Sequence, residues 1–276
     1  MKTKEITKYQ LILFTCLLLP LTAHLQTFSN ETIEIQTEYG NIKVKLYEET
    51  PLHKANFIKH IKVGFYDSLL FHRVIKNFMI QGGDPNSKYA NQDDTLGEGD
   101  LDYMVPAEFN RKLIHKKGVI AAARESDSLN PELGSSGCQF YLVQGKPRTL
   151  EELQKVEYRI NNNKIHNARR AYFKTEIGKK NLMNLKNNKD SSQYYQNQIN
   201  VDIEKIAFKN GKYKFTEEEI KVYTSLGGTP HLDGSYTVFG EIISGLEVVD
   251  KIADEKTNPL DRPLKDIRMK IIILED

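Results

Sequence analysis

Arg73 and Gln81 stand out in the run Phe71-His-Arg-Val-Ile-Lys-Asn-Phe-Met-Ile-Gln-Gly-Gly-Asp84, where Phe71, Phe78 and Met79 surround them and Gly82-Gly83 follows. A guanidinium is a permanent cation with a planar fork of donors, and a glutamine amide can both donate and accept. Among large apolar side chains, such a pair suits a groove that grips an apolar ligand and polarises one amide. A dry surrounding strengthens that polarisation. Strand alternation predicts that Phe71, Arg73 and Ile75 share one face, and that Met79 and Gln81 also share a face.

Other chemistries find little support. His53 and His60 lie on one predicted helix without metal-like spacing or a cysteine pair, so no metal is expected. Gly82-Gly83-Asp84 lacks the Lys-Ser/Thr of a phosphate loop, and no cofactor is expected. Cys138 reads as a small buried packing residue, because no base for a catalytic thiol can be placed beside it. A net charge of +2 over 276 residues gives no electrostatic footprint for nucleic acid or acidic lipid.

The elements that must position these residues are short. Thr32–Thr37 and Asn41–Tyr47 alternate apolar and polar residues around Glu38-Tyr39-Gly40, which predicts a hairpin. A helix follows, with Thr50 as its expected cap, Pro51 at its first position and Gly64 at its end. Further strands are expected at Phe71–Ile75, Gly118–Ala123, Gln139–Val143, Tyr236–Glu241 and Met269–Leu274. A second amphipathic helix is expected over Leu246–Ala253. Many strands and two helices predict a mainly β chain, a closed antiparallel barrel capped by helices.

The stretch 147–224 differs in character. It holds 16 lysines and arginines against 10 aspartates and glutamates, a net of +6. Leu153, Val156 and Ile160 recur at helical spacing, Ala171, Phe173 and Ile177 extend a weaker pattern, and Thr216 precedes three glutamates as a cap. Asn184–Asn200 is polar enough to predict a mobile loop. A helical, basic insertion is expected here, and its surface could dock a partner.

At the start, Lys2, Lys4 and Lys8 precede an apolar run from Leu11 to Leu19, then Pro20, Thr22 and Ala23. That order predicts a secretory signal peptide over residues 1–25, cleaved between Ala23 and Gln26. The run is short of the ~20 apolar residues of a span, so no stable membrane span is expected after cleavage. Export with Cys138 as the single remaining cysteine predicts a bacterial periplasmic or envelope protein.

The Phe71–Asp84 run resembles the signature of the cyclophilins, the peptidyl-prolyl cis-trans isomerases, with Lys76-Asn77 where the family often has Pro-Gly. Gly118–Ala123 is similar to the family strand whose last alanine lines the groove, with Arg124 in place of a common asparagine. Gly134–Val143 resembles the segment that carries the groove glutamine, here Gln139, and Tyr141 stands where a phenylalanine floors the pocket. His231–Glu241 resembles a further family segment, with His231 for a tryptophan and Tyr236 for a histidine. The motifs occur in the family's order in two blocks flanking the insertion.

The resemblance implies an eight-stranded closed barrel over residues 30–276, interrupted by the 147–224 insertion. It implies rotation of X-Pro bonds in proline-containing clients during folding of exported proteins. Arg73, Gln81 and Phe78 become the catalytic set. Phe71, Met79, Ala123, Arg124, Gln139, Tyr141, His231, Leu232 and Tyr236 become the substrate groove. Loss of the tryptophan at His231 implies weak cyclosporin binding. The alternative from another class is a non-catalytic proline-peptide-binding or chaperone module.

Overall fold

The computed structural model describes residues 31–187 and 189–274. The expected signal peptide and its cleavage point lie outside them. The described residues form ten strands and six α-helices. In order they are β1 (Thr32–Thr37), β2 (Gly40–Leu46), α1 (Pro51–Lys62), β3 (Arg73–Ile75), β4 (Met79–Gly82), β5 (Met104–Val105), β6 (Val119–Ala122), β7 (Ser135–Ser136) and β8 (Phe140–Val143). After them come α2 (Leu150–Lys174), α3 (Glu176–Asn187), α4 (Ser192–Ala207), α5 (Glu217–Ser225), β9 (Val238–Ser244), α6 (Leu246–Ala253) and β10 (Lys270–Leu274). Among the described residues no helix is long and apolar enough to cross a membrane.

Eight strands form one antiparallel sheet in the order β10-β1-β2-β9-β6-β8-β4-β3, and β5 pairs with β7 apart from it. The sheet curls, but β3 and β10 do not pair, so the expected closed barrel is an open, half-barrel sheet. An isolated bridge between Leu70 and Arg268, with hydrogen bonds around it, joins the segments that precede those two strands. β3 is only three residues long, too short to continue that ladder.

Alternation gives the sheet two buried faces. Ile33, Ile35, Ile42, Val44, Ile80, Ile120, Phe140 and Leu142 turn to the inner core, where Phe57 and Ile61 of α1 and Val249 and Ile252 of α6 meet them. Each such side chain contributes roughly 1.5–3 kcal/mol of burial. Met79, Val119, Ala121, Tyr141 and Val143 turn to the other face, where Leu232 and Val238 cover them. β6 and β8 are therefore buried throughout and read as continuous apolar runs.

α1 ends as its sequence predicts but begins differently. Gly64 has φ +66°, its N–H bonds the Ile61 carbonyl and the Phe65 N–H bonds the His60 carbonyl, which closes the helix end. Thr50 does not cap the start; its buried hydroxyl has no hydrogen-bond partner. Glu108 caps it from far along the chain, accepting from Leu52 N–H at 3.0 Å and His53 N–H at 2.9 Å.

Between β8 and β9 the described residues are largely helical, including those in the stretch expected to be a loop. Of the described residues there, 184–187 end α3, 189–191 form a short 3₁₀ turn and 192–200 form the first half of α4. Its sparse apolar residues suffice because Ile199 and Ile203 pack with Ala168 and Tyr172 of α2 in a small core of their own. A second small core, Leu153, Tyr213, Phe215 and Tyr223 with Ile114, roots this helical segment on the sheet.

Candidate active site

The register of four neighbouring strands builds the site. Arg73 pairs with Gln81 across β3–β4, Gln81 with Tyr141 across β4–β8, and Tyr141 with Ala121 across β8–β6. These four residues form one row on the outer face, with strands about 4.8 Å apart. The β3–β4 turn is made by Asn77, which adopts φ +63°; asparagine tolerates that left-handed conformation better than most residues. Gly83 then lets β4 run close beside β8, since a Cβ there would lie 2.3 Å from the Cys138 carbonyl oxygen.

A cavity of about 140 Å³ opens on this row, lined by Arg73, Phe78, Met79, Gln81, Ala123, Arg124, Tyr141, Leu232 and Tyr236. An apolar cavity of ~150 Å³ admits benzene, so this one has room for a five-membered ring. The other three sequence-predicted site residues lie elsewhere. Gln139 stands behind Gln81. His231 stacks on Phe78 with ring centroids 5.5 Å apart. Phe71 faces the inner core beside Phe140, because the chain before Arg73 is not in strand geometry and the alternation does not reach back to it.

A file of amides fixes the arginine. Gln139 Nε2 donates to the carbonyls of Gly97 and Gly99 at 2.9 and 2.7 Å. Carbonyls only accept, so the Gln139 amide has one orientation, and its oxygen accepts from Gln81 Nε2 at 2.9 Å. The Gln81 oxygen in turn accepts from Arg73 Nη1 at 3.3 Å. Asp84 anchors the far end, accepting from the Gly97 and Asn86 backbone N–H groups. Arg73 Nε also lies 3.6 Å from Asp261, with both side chains 42% exposed; such a pair contributes little energy but restricts the guanidinium.

The pocket floor is held from the opposite side. Tyr141 is buried, and its hydroxyl lies 3.0 Å from His115 Nε2. His115 Nδ1 lies 2.9 Å from Asp233 Oδ1, and the other carboxylate oxygen accepts from Tyr223 at 2.6 Å and Tyr213 at 3.4 Å. Burial, with Tyr236 and Asp233 nearby, pushes the Tyr141 phenol well above its ordinary value, so it stays protonated. At the rim, the Arg124 side chain is 4% exposed and bound to Ser235, Glu125 and Asp127 while lying over the Tyr236 ring at 4.5 Å. Its charge is thus turned into the wall.

Sequence reasoning missed the supports: Asp84, Gly97, Gly99, Asp261, His115, Asp233, Tyr213 and Tyr223. Asp84 and Asp233 lie inside the motifs already singled out, so hydrogen-bonding residues beside the groove positions were the available signal. Tyr213 and Tyr223 carried none, since nothing local ties them to Asp233.

The comparisons with known proteins agree with this geometry. The family described as "Cyclophilin type peptidyl-prolyl cis-trans isomerase/CLD" matches residues 32–272. A protein of Staphylococcus saprophyticus named as a peptidyl-prolyl cis-trans isomerase is 27% identical over 239 residues, covering 86% of this chain and 88% of that protein. A Streptococcus pyogenes protein named as a bifunctional phosphatase/peptidyl-prolyl cis-trans isomerase is 26% identical over 257 residues, 91% of this chain and 40% of its own. The crystal structure of a cyclophilin type isomerase from Cryptosporidium parvum shares the fold, with a TM-score of 0.53 at 18% identity over 89% of this chain and 98% of that one. The chain belongs to the cyclophilin-type peptidyl-prolyl cis-trans isomerase family and is an enzyme of that class.

Proposed function

We propose that the chain turns X-Pro bonds by seating the proline ring against Phe78, Met79, Tyr141 and Leu232 while Arg73 donates to the proline nitrogen. Planar amide resonance sets a barrier of about 18–20 kcal/mol. As the amide twists, that nitrogen regains a lone pair, which a fixed donor stabilises without stabilising the planar form equally. The observation that carries this reading is the setting of Arg73. It shares a cavity with four apolar side chains, one terminal nitrogen is bound to Gln81, and the other has no hydrogen-bond partner among the described residues. Gln81 and Ala123 orient the substrate backbone, and Gln139 holds Gln81 in place from behind. No covalent bond is made or broken.

Arg73→Ala is the test. Turnover of an Ala-Pro test peptide is expected to fall roughly a hundredfold, the scale of losing one transition-state donor, with an unchanged circular dichroism spectrum. Unchanged turnover in that variant sinks the arginine mechanism. A second role, holding proline-containing peptides, is favoured by the Asp261 carboxylate that shares Arg73. A proline-limited refolding reaction separates the two, since a holder slows it and an isomerase speeds it.

The clients we propose are exported polypeptides, a reading supported by the basic and apolar start of the chain. N-terminal sequencing of protein recovered from outside the cytoplasm should begin between Ala23 and Gln26; recovery of an intact chain from the cytoplasm refutes export.

A further inference from the structure

Beside the pocket lies a second concavity of about 310 Å³, lined in part by Arg148, Glu152, Lys155, Arg159, Pro230 and His231. Glu152, Lys155 and Arg159 are three and four residues apart on α2, so they share one face. α2 packs on the Pro230–Leu232 turn, which joins the two concavities. Leu232 lines the pocket, while His231 lines the groove and stacks on Phe78. A polypeptide seated against Phe78 and Leu232 therefore has the groove one ring away.

Three cations and one carboxylate line this groove, so positive charge is in excess there. Glu152 accepts from the Thr149 backbone N–H at 2.8 Å in the capping box of α2 and stands 3.6 Å from Arg148 Nη1. Lys155 meets Glu151 at 2.7 Å with both side chains more than two-thirds exposed, where pairing contributes little. Arg159 has no ion-pair partner among the described residues, and the buried Arg148 Nε has no hydrogen bond. Burial, and then the charges of Arg148, His115 and Arg159, hold His231 down to about 4. The other cations of the helical segment do not line the groove.

We infer that this groove receives a carboxylate side chain of the same polypeptide whose proline occupies the pocket, so that chains with Asp or Glu near the proline are preferred. The inference rests on the isomerase reading of the pocket. Its test is kcat/KM on Xaa-Pro peptides carrying Glu or Gln at each of four positions on either side of the proline. The protein is compared with a variant carrying Lys155→Gln and Arg159→Gln. Glu is expected to exceed Gln by about two- to fivefold in at least one position, the range of exposed ion pairs. Added salt should shrink the preference, and the variant should lose it. Equal values for Glu and Gln at every position, or a preference that the variant retains, overturn the inference. A flat ratio with turnover intact fails the groove alone. Absent turnover of the Gln series fails the isomerase reading, and the Glu/Gln ratio of peptide affinities from calorimetry then decides the groove.

Discussion

Arg73 is held by Gln81, Gln139 and the Gly97–Gly99 loop behind it, so its geometry depends on residues that touch no proline ring. Gln139→Leu keeps the volume but leaves Gln81 Nε2 and two carbonyls without their partner. Leaving buried polar groups unpaired costs about 1–3 kcal/mol, so the urea midpoint should fall. Turnover should fall about tenfold with KM little changed, because the donor is misaligned rather than lost; a normal kcat refutes the positioning role. Arg73→Lys tests the fork itself. It keeps the charge but loses the planar pair of nitrogens, and kcat/KM should fall at least about tenfold; full activity would show that a point charge suffices. Most of the cavity lining was legible from residue types within the motifs. Phe71 was not, because period-2 alternation holds only inside a strand and β3 starts at Arg73.

At the scale of elements, the helical segment between β8 and β9 reaches the pocket through hydrogen bonds. Tyr213 and Tyr223 end on Asp233, Asp233 on His115, and His115 on Tyr141. Tyr223→Phe removes the 2.6 Å bond to a buried carboxylate. It should destabilise the protein by about 1–3 kcal/mol in urea unfolding and raise KM for the test peptide. A variant with unchanged stability and KM breaks the proposed link. Deleting Leu150–Tyr223 should therefore impair turnover although none of those residues lines the pocket. The cap at Thr216 made the start of α5 legible, and the spacing of Leu153, Val156 and Ile160 made α2 so, although its Thr149 capping box emerged only in the structure. The helices over Asn184–Asn200 were not legible, since their stability comes from packing on α2 rather than from their own polar composition.

For the whole molecule, acid should be the weak side. His72 and His231 are held down to about 4 mainly by burial, and His53 and His60 are also lowered for that reason. Below the ordinary histidine value of about 6.5 the unfolded chain binds protons that the native state refuses. The stability these groups contribute is present above pH 6.5 and is lost as pH falls below it, for His72 and His231 down toward 4 and by roughly 1.4 kcal/mol per pH unit for each of those two. Urea midpoints should be level between pH 7 and 8 and drop steadily below 6.5; a midpoint that rises on acidification contradicts the assignment. The sequence by itself determined the order of motifs, the alternation of the strands and the chemistry of the groove, because those depend on residue type and short spacing. The tertiary structure alone decided that the sheet stays open between β3 and β10, that Glu108 rather than Thr50 caps α1, and that two tyrosines from the helical segment support the pocket floor. The last two require groups far apart in the chain to meet within hydrogen-bond distance, about 2.7–3.2 Å, and the first turns on such a meeting failing between β3 and β10; no local pattern encodes either outcome.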